Sequence, residues 1–244
     1  MDDRAAHANS FGPAARTYER GRPSYPADAL DWLLPAGRPR VLDLGAGTGK
    51  LTRSLLDRDL PVTAVEPSPG MLEELRRVLP SVPSYQGSAQ RIPLPDASVD
   101  VVLVAQAWHW VDAAAAAPEI ARVLSPGGRL GILWNIRDET TEWVDRLGTI
   151  IGSAEQDRDP TVGPPFAPVE TAAFPWTDRV SPESLLDLVA SRSGVILLPP
   201  AERAALLAQV RQLIATHPAL VGRTGFDLPY VTDCARTALG TGAA

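Results

Sequence analysis

A chain of 244 residues, 45% hydrophobic and 21% charged, is long enough to bury one large core and too apolar to remain unfolded. Its 23 basic and 29 acidic residues leave a net charge of −6. That balance disfavours a partner held by broad neutralisation of phosphates, so neither nucleic acid nor a membrane surface is expected.

The N-terminus, Met1-Asp2-Asp3-Arg4, is acidic and lacks an apolar run, so no secretory signal is expected, and no stretch nears the ~20 apolar residues of a membrane helix. The expected location is the cytoplasm. Residues 1–36 read as an N-terminal helical cap. Val41-Leu42-Asp43-Leu44 is a short apolar strand followed by a glycine turn, and Thr48 is placed to cap a helix carrying Leu51, Leu55 and Leu56. Val62–Glu66 is a second strand. Ser68 and Pro69 then open a helix with Met71, Leu72, Leu75, Val78 and Leu79 on one face, stopped by Pro80. Val99–Ala105 is almost wholly apolar, as a central strand covered on both faces should be. An alanine-rich helix ends at Leu124 and is expected to kink or begin at Pro118. After the turn Ser125-Pro126-Gly127-Gly128, Arg129–Asn135 is the next strand.

Beyond Asn135 the alternation stops. Residues 137–158 read as a helix, 159–176 as a proline-rich loop with a strand near 172–176, Ser181 as a helix cap, and Pro199-Pro200 as the start of a helix running to His217. Phe226–Ala238 is a candidate last strand. The predicted organisation is one α/β domain over 1–244: a cap to 36, a ligand-binding core over 37–135, a substrate cover over 136–218, and a final strand and tail over 219–244. Alternating strands and helices imply a doubly wound, Rossmann-like, mostly parallel sheet with helices on both faces. The helices after 135 would cover the C-terminal strand ends.

The glycine turn carries the chemistry. Gly45, Gly47 and Gly49 alternate between a strand and a helix, where the chain can turn sharply and bring a ligand against bare main chain at a helix N-terminus. A phosphate loop fails, because Leu44 stands five residues before Gly49-Lys50 and Leu51 follows it. A dinucleotide fingerprint wants a small residue where Lys50 stands. Glu66 closes the second strand seventeen residues beyond Gly49, where a carboxylate can accept ribose hydroxyls.

These motifs, in this order, resemble the class I S-adenosylmethionine (AdoMet)-dependent methyltransferases acting on small molecules, such as the ubiquinone/menaquinone-biosynthesis enzymes and trans-aconitate methyltransferase. The resemblance covers residues 11–135, and from it the fold is expected to have seven strands. It implies AdoMet as cofactor, S-adenosyl-L-homocysteine as its product, and no metal. Asp43, Gly45, Ala46, Gly47 and Gly49 match the glycine motif; Glu66 matches the ribose acid, with Pro67 and Met71 beside it. Ser88 and Ala89, in Gly87-Ser88-Ala89-Gln90 before Ile92-Pro93-Leu94-Pro95-Asp96, match the adenine side, with Ser88 where the family usually has aspartate. Ala105 and Gln106 follow at the fourth strand's end. Tyr18, Arg22, Pro23, Tyr25 and Pro26 resemble a segment in which an aromatic and an arginine close over the methionine end of the cofactor.

Methyl transfer needs alignment, exclusion of water and, for some acceptors, a base. His109, one of three histidines, follows the fourth strand between Trp108 and Trp110. It reads either as a general base or as a structural residue packed between two tryptophans. Tyr25, Trp108, Trp134, Asn135, Arg137, Arg192 and Tyr230 are candidate substrate contacts, an arginine suiting a carboxylate-bearing small molecule and methyl-ester formation.

Rival readings are an AdoMet-binding module without turnover and a nicotinamide oxidoreductase. Lys50 is the only lysine, and Ala46 stands four residues before it, so a Tyr-x-x-x-Lys pair is absent. Amino-methylating nucleic-acid enzymes would need Asn/Asp-Pro-Pro-aromatic where Ala105-Gln106-Ala107-Trp108 stands, and Cys234, the single cysteine, can form neither a disulfide nor a zinc cluster. Oligomeric state is not encoded in any motif.

Overall fold

The structure, a computed structural model, describes residues 22–152 and 158–240. In chain order its elements are α1 (Ala27–Leu33), β1 (Val41–Leu44), α2 (Lys50–Leu56), β2 (Val62–Glu66), α3 (Pro69–Val78), β3 (Ser84–Gln86), β4 (Val99–Ala105), a 3-10 turn (Trp108–Trp110) and α4 (Ala113–Val123). Then follow β5 (Leu124–Arg137), α5 (Glu142–Ile151), β6 (Glu170–Val180), α6 (Pro182–Ala190), the short α7 (Ser193–Ile196), α8 (Pro200–Thr216) and β7 (Phe226–Ala238). The seven strands form one sheet in the order β3-β2-β1-β4-β5-β7-β6, mostly parallel with one antiparallel hairpin. This is the expected Rossmann-like α/β arrangement.

Register positions the site. Leu44 lies opposite Val65 in the parallel β1–β2 pair, so the glycine turn leaving β1 and the acid ending β2 emerge side by side. Asp43 lies opposite Leu103, and Ala105 opposite Leu133, which brings the segment after β4 to the same strand ends.

Two compact units divide the described residues. One takes Ser24–Asn135 with the described parts of Gln156–Phe174 and Thr232–Ala244. Its core joins Leu30 and Leu33 of α1, Val41 of β1, Leu51 and Leu55 of α2, Val101 and Leu103 of β4, Leu133 of β5 and Cys234 of β7. The second takes Arg22–Pro23, Pro175–Val231 and the described part of Ile136–Glu155. Its core joins Trp143 and Leu147 of α5, Leu185 and Val189 of α6, Val210 and Leu213 of α8, and Phe226 and Leu228 of β7.

Several expected boundaries move, for local reasons. Gly49 at φ 95°, not Thr48, precedes α2, because only glycine takes that left-handed backbone at no steric cost. Ser68 precedes α3, but its side chain makes no capping bond; its amide donates to Glu66. The α4 helix begins at Ala113, five residues before Pro118, because Asp112 accepts the amides of Ala114 and Ala115. Extended chain runs from Leu124 to Arg137, so the Ser125–Gly128 segment belongs to β5, and the following helix starts only at Glu142. Ser181 does cap α6, accepting the Ser184 amide while the Ser184 hydroxyl accepts the Ser181 amide.

Candidate functional site

At the end of β1 the chain is stripped of side chains where it turns. Gly45, Gly47 and Gly49 have φ of 74°, 58° and 95°. The Gly45 and Ala46 amides both donate to the Val65 carbonyl, at 2.8 and 3.1 Å, tying the turn to β2. A Cβ on Gly45 would stand 3.1 Å from the Ala107 Cβ, and one on Gly49 would stand 2.8 Å from Leu79. Among the described residues a Cβ on Gly47 would meet nothing within 4 Å.

Two buried carboxylates flank the turn. The Gly47 amide donates to Glu66 Oε2 and the Ser68 amide to Glu66 Oε1, each at 2.8 Å. These bonds fix the plane of the carboxylate and leave further lone pairs on both oxygens. Burial still raises the Glu66 pKa above the usual range, the two amide bonds opposing it. Beneath the turn, Asp43 is 0% exposed; the Thr52 hydroxyl donates to its Oδ2 at 2.6 Å, while Oδ1 is buried without a partner among the described residues. Burial pushes Asp43 up to about 7, against the Thr52 hydrogen bonds and with help from the Glu66 charge. Thr52 was not singled out in the sequence. Its signal is a polar residue beside the apolar stripe of α2, nine positions after an acid in an apolar strand.

The adenine-side segment packs close to β2. A Cβ on Gly87 would collide with Pro93 Cδ at 2.6 Å, so glycine lets the Ile92-Pro93 run lie against the strand. Ser88 and Arg91 exchange backbone hydrogen bonds across a tight bridge, and Ala89 is buried. Met71 is buried under α3, whereas Pro67 is exposed and its carbonyl accepts from Gln86.

After β4 the chain bends at Gln106, a non-glycine residue at φ 56°. A residue held there is strained, and such strain concentrates at functional sites. It is held from two sides: the Gln106 amide donates to the Leu133 carbonyl at 2.9 Å, and its Nε2 donates to the Asn135 carbonyl at 3.1 Å. The Asn135 side chain is also committed, donating to the Ser24 carbonyl at 2.8 Å and accepting the Thr232 hydroxyl at 2.6 Å. Asn135 therefore acts here as a latch between distant segments. The bend delivers Trp108–Trp110, where Trp108 is buried and the His109 ring stands 4.6 Å from that of Trp110. Trp134 is buried, its indole Nε1 lacking an acceptor among the described residues. Tyr25 packs against the α1 core.

Arg22, Arg137, Arg192 and Tyr230 gather in the second unit. Arg137 Nη2 donates to Glu139 at 3.4 Å, but its Nε is buried without an acceptor among the described residues, and its side chain is 6% exposed. Burial lowers the Arg137 pKa, Tyr230 and Glu139 opposing this. Burial, then repulsion from Arg137 and Arg22, lowers Arg192 to about 10. Tyr230 is raised to about 12, chiefly by burial, and its ring stacks on Trp176 with centroids 5.2 Å apart. Trp176 was missed in the sequence, although it alternates with Phe174 and Asp178 on one face of β6. Tyr18 lies outside the described residues. Among the described residues, no group of three or more His, Cys, Asp or Glu could hold a metal ion, and no helix is long and apolar enough to cross a membrane.

The first unit's donor set thus fits a ligand with hydroxyls for a clamped carboxylate, a cationic or donor group for a buried acid, and a body that lies on bare main chain. Comparison with known proteins agrees. A profile described as a methyltransferase domain matches residues 42–132. An uncharacterized methyltransferase of Mycobacterium bovis is 57% identical over 235 residues, 94% of this chain and 96% of that protein. A malonyl-[acyl-carrier protein] O-methyltransferase of Enterobacter lignolyticus is 38% identical over 144 residues, 57% of each chain. A solved structure from Anaeromyxobacter dehalogenans, assigned as a candidate type II methyltransferase, superposes with a TM-score of 0.66 at 26% identity, covering 90% of this chain and 97% of that one. With the glycine turn, the clamped acid and these relatives together, the chain belongs to the class I AdoMet-dependent methyltransferases.

Proposed function

We propose that this enzyme transfers the methyl group of AdoMet to an oxygen, nitrogen or carbon atom of a small molecule that carries a carboxylate. The observation supporting the carboxylate is Arg137, a buried guanidinium whose Nε has no acceptor among the described residues and whose contact with Glu139 is long at 3.4 Å. A guanidinium so placed matches the paired oxygens of a carboxylate.

AdoMet supplies a methyl on a sulfonium, already a good leaving group. The residues of this chain bind, orient and dry the reaction. Glu66 accepts the ribose hydroxyls on the lone pairs its two amide bonds leave open. Asp43 offers Oδ1 to the cationic end, and the Gly45–Gly49 main chain with Ala46 lies along the cofactor. Ser88 and Ala89 flank the adenine, with Pro67 and Met71 beside it, while Ala105 and Gln106 border the cofactor from β4. Tyr18 and Arg22 complete the proposed cofactor set. Trp108, Trp134, Tyr25 and Asn135 limit the acceptor's space. His109 takes the acceptor's proton where the methylated atom carries one, imidazole being the side chain most often used as a general base.

The test is an assay of S-adenosylhomocysteine release on small molecules grouped as acids, amines, phenols and their neutral esters. Turnover concentrated in the acids is expected. Equal turnover of acids and their neutral esters would refute the carboxylate requirement.

A further inference from the structure

The last turn of α4 holds the adenine-side segment by its main chain, all within the first unit. Glu119 and Arg122, three residues apart on that helix, pair in a two-pronged fork: Arg122 Nε donates to Glu119 Oε2 at 2.9 Å and Nη2 to Oε1 at 2.8 Å. The pair then closes on one residue from both sides. The Ile92 amide donates to Glu119 Oε1 at 2.8 Å, and the Ile92 carbonyl accepts Arg122 Nη2 at 2.9 Å. Arg122 Nη1 reaches on to the Leu94 carbonyl at 2.8 Å and to Asp96 Oδ1 at 2.7 Å. Past the loop, the Ala97 amide donates to the Arg122 carbonyl at 2.9 Å. Hydrogen bonds from Arg122 hold Glu119 below the usual glutamate range, so both partners stay charged near neutral pH.

Ile92 directly follows the turn assigned above to the adenine. There Ser88 and Arg91 exchange backbone hydrogen bonds, with Ala89 and Gln90 at the tip. The side chain at that turn is the wrong kind to read a base alone. A serine hydroxyl both donates and accepts, so it satisfies the 6-amino group of adenine and the 6-oxo group of its deaminated form alike. Main-chain groups lack this freedom: an amide only donates and a carbonyl only accepts. Their power to discriminate depends on being held in place. We infer that the Glu119–Arg122 pair is a positioning device for base recognition: it fixes the Ser88–Arg91 turn so that main-chain groups of set polarity tell adenine from a 6-oxo purine. This rests on the reading that places the adenine at Ser88 and Ala89. Glu119 and Arg122 act through Ile92 and not by touching the base.

The experiment measures, by calorimetry on the full chain, the affinities of S-adenosylhomocysteine and S-inosylhomocysteine, which differ only at the purine edge. Wild type is expected to favour the adenine compound by about ten-fold or more, the loss incurred when a fixed buried donor faces another donor. Arg122→Leu should bring the two within about three-fold of each other, by weakening the adenine compound more than the inosine one. Arg40→Leu is the stability control: it breaks the Arg40–Asp100 pair, 2.7 Å apart in the same unit, and should lower Tm while leaving the ratio at its wild-type value. Arg122→Lys, with its donors on one nitrogen in place of a planar fork, should fold and still lose most of the ratio. An unchanged ratio in Arg122→Leu or, where that variant does not fold, in Arg122→Lys makes the pair purely structural and overturns the inference. Loss of the ratio in Arg40→Leu would tie discrimination to stability and overturns it as well, as does a wild type that binds both compounds equally. Failure of the wild type to bind either compound sinks the cofactor reading itself instead.

Discussion

The Thr52 hydroxyl holds Asp43 by a 2.6 Å hydrogen bond in a space closed to solvent, directly under the glycine turn. The bond opposes, without cancelling, the burial that lifts Asp43 to about 7. An aspartate normally titrates near 3.8, so the folded state binds a proton more tightly than the unfolded chain. Its contribution to stability is full below the unfolded value and is lost as pH rises through about 7. The ligand-free protein should therefore show a falling Tm over that window, and Asp43→Asn should flatten it, as read by thermal melts across pH. A cation bound at Oδ1 favours the ionised form, so AdoMet affinity should rise over the same window in wild type and not in Asp43→Asn.

Replacing Glu66 with Gln tests the clamp. A carboxylate accepts the Gly47 and Ser68 amides on separate oxygens; a carboxamide has one acceptor oxygen and turns an NH2 toward the other amide. An unsatisfied buried donor costs about 1–3 kcal/mol, which corresponds to roughly 5- to 150-fold in AdoMet affinity if the clamp is made for the cofactor. Calorimetry of Glu66→Gln with AdoMet measures it.

The glycines separate into two kinds. In Gly49→Ala the new Cβ would lie 2.8 Å from Leu79 at φ 95°, so strain and crowding act together and stability should fall by about 2–4 kcal/mol in urea unfolding. In Gly47→Ala there is space for the methyl, leaving only the left-handed backbone penalty of about 1–2 kcal/mol. That variant should fold, yet bind AdoMet poorly, because the methyl covers main chain the ligand would touch.

Asn135→Ala removes bonds to Ser24 and Thr232, residues 111 and 97 positions away, and should destabilise the protein by about 1–3 kcal/mol in urea melts. The backbone carbonyl that holds Gln106 remains, so Tm should drop more than AdoMet affinity.

His109→Ala decides between a base and a packing residue. A general base contributes about 10²–10⁴-fold to turnover, so loss of that size with AdoMet binding intact assigns the proton to His109. Near-normal turnover removes it from the chemistry and leaves its ring contact with Trp110 as its role.

The parallel half of the fold was legible because its signals are local. Glycines at alternate positions, an acid at a strand end and an apolar run with no alternation each fit within a few residues, and β1, β2 and β4 appear where those signals place them. The last strand was equally plain over Phe226–Ala238. Harder to read were features set by competition or distance. Ser68 precedes its helix as the pattern suggests, yet its side chain makes no capping bond while its amide serves Glu66. Whether Pro118 starts a helix depends on Asp112 nucleating one upstream. The Ser24–Asn135–Thr232 latch joins three segments whose sequence separation hides them from any pattern. Arginine was the least legible residue, since nothing local distinguishes Arg137, buried, from Arg146, exposed and paired with Glu142.

Lys50, the first residue of α2, directly follows the glycine turn and is the chain's only lysine. Amine-selective reagents therefore have one side-chain target in the whole molecule, and it adjoins the turn. A mass-spectrometric footprint of that single amine can report ligand engagement without an engineered label, and a surface coupling chemistry used to immobilise the protein would anchor it beside the place most in need of access.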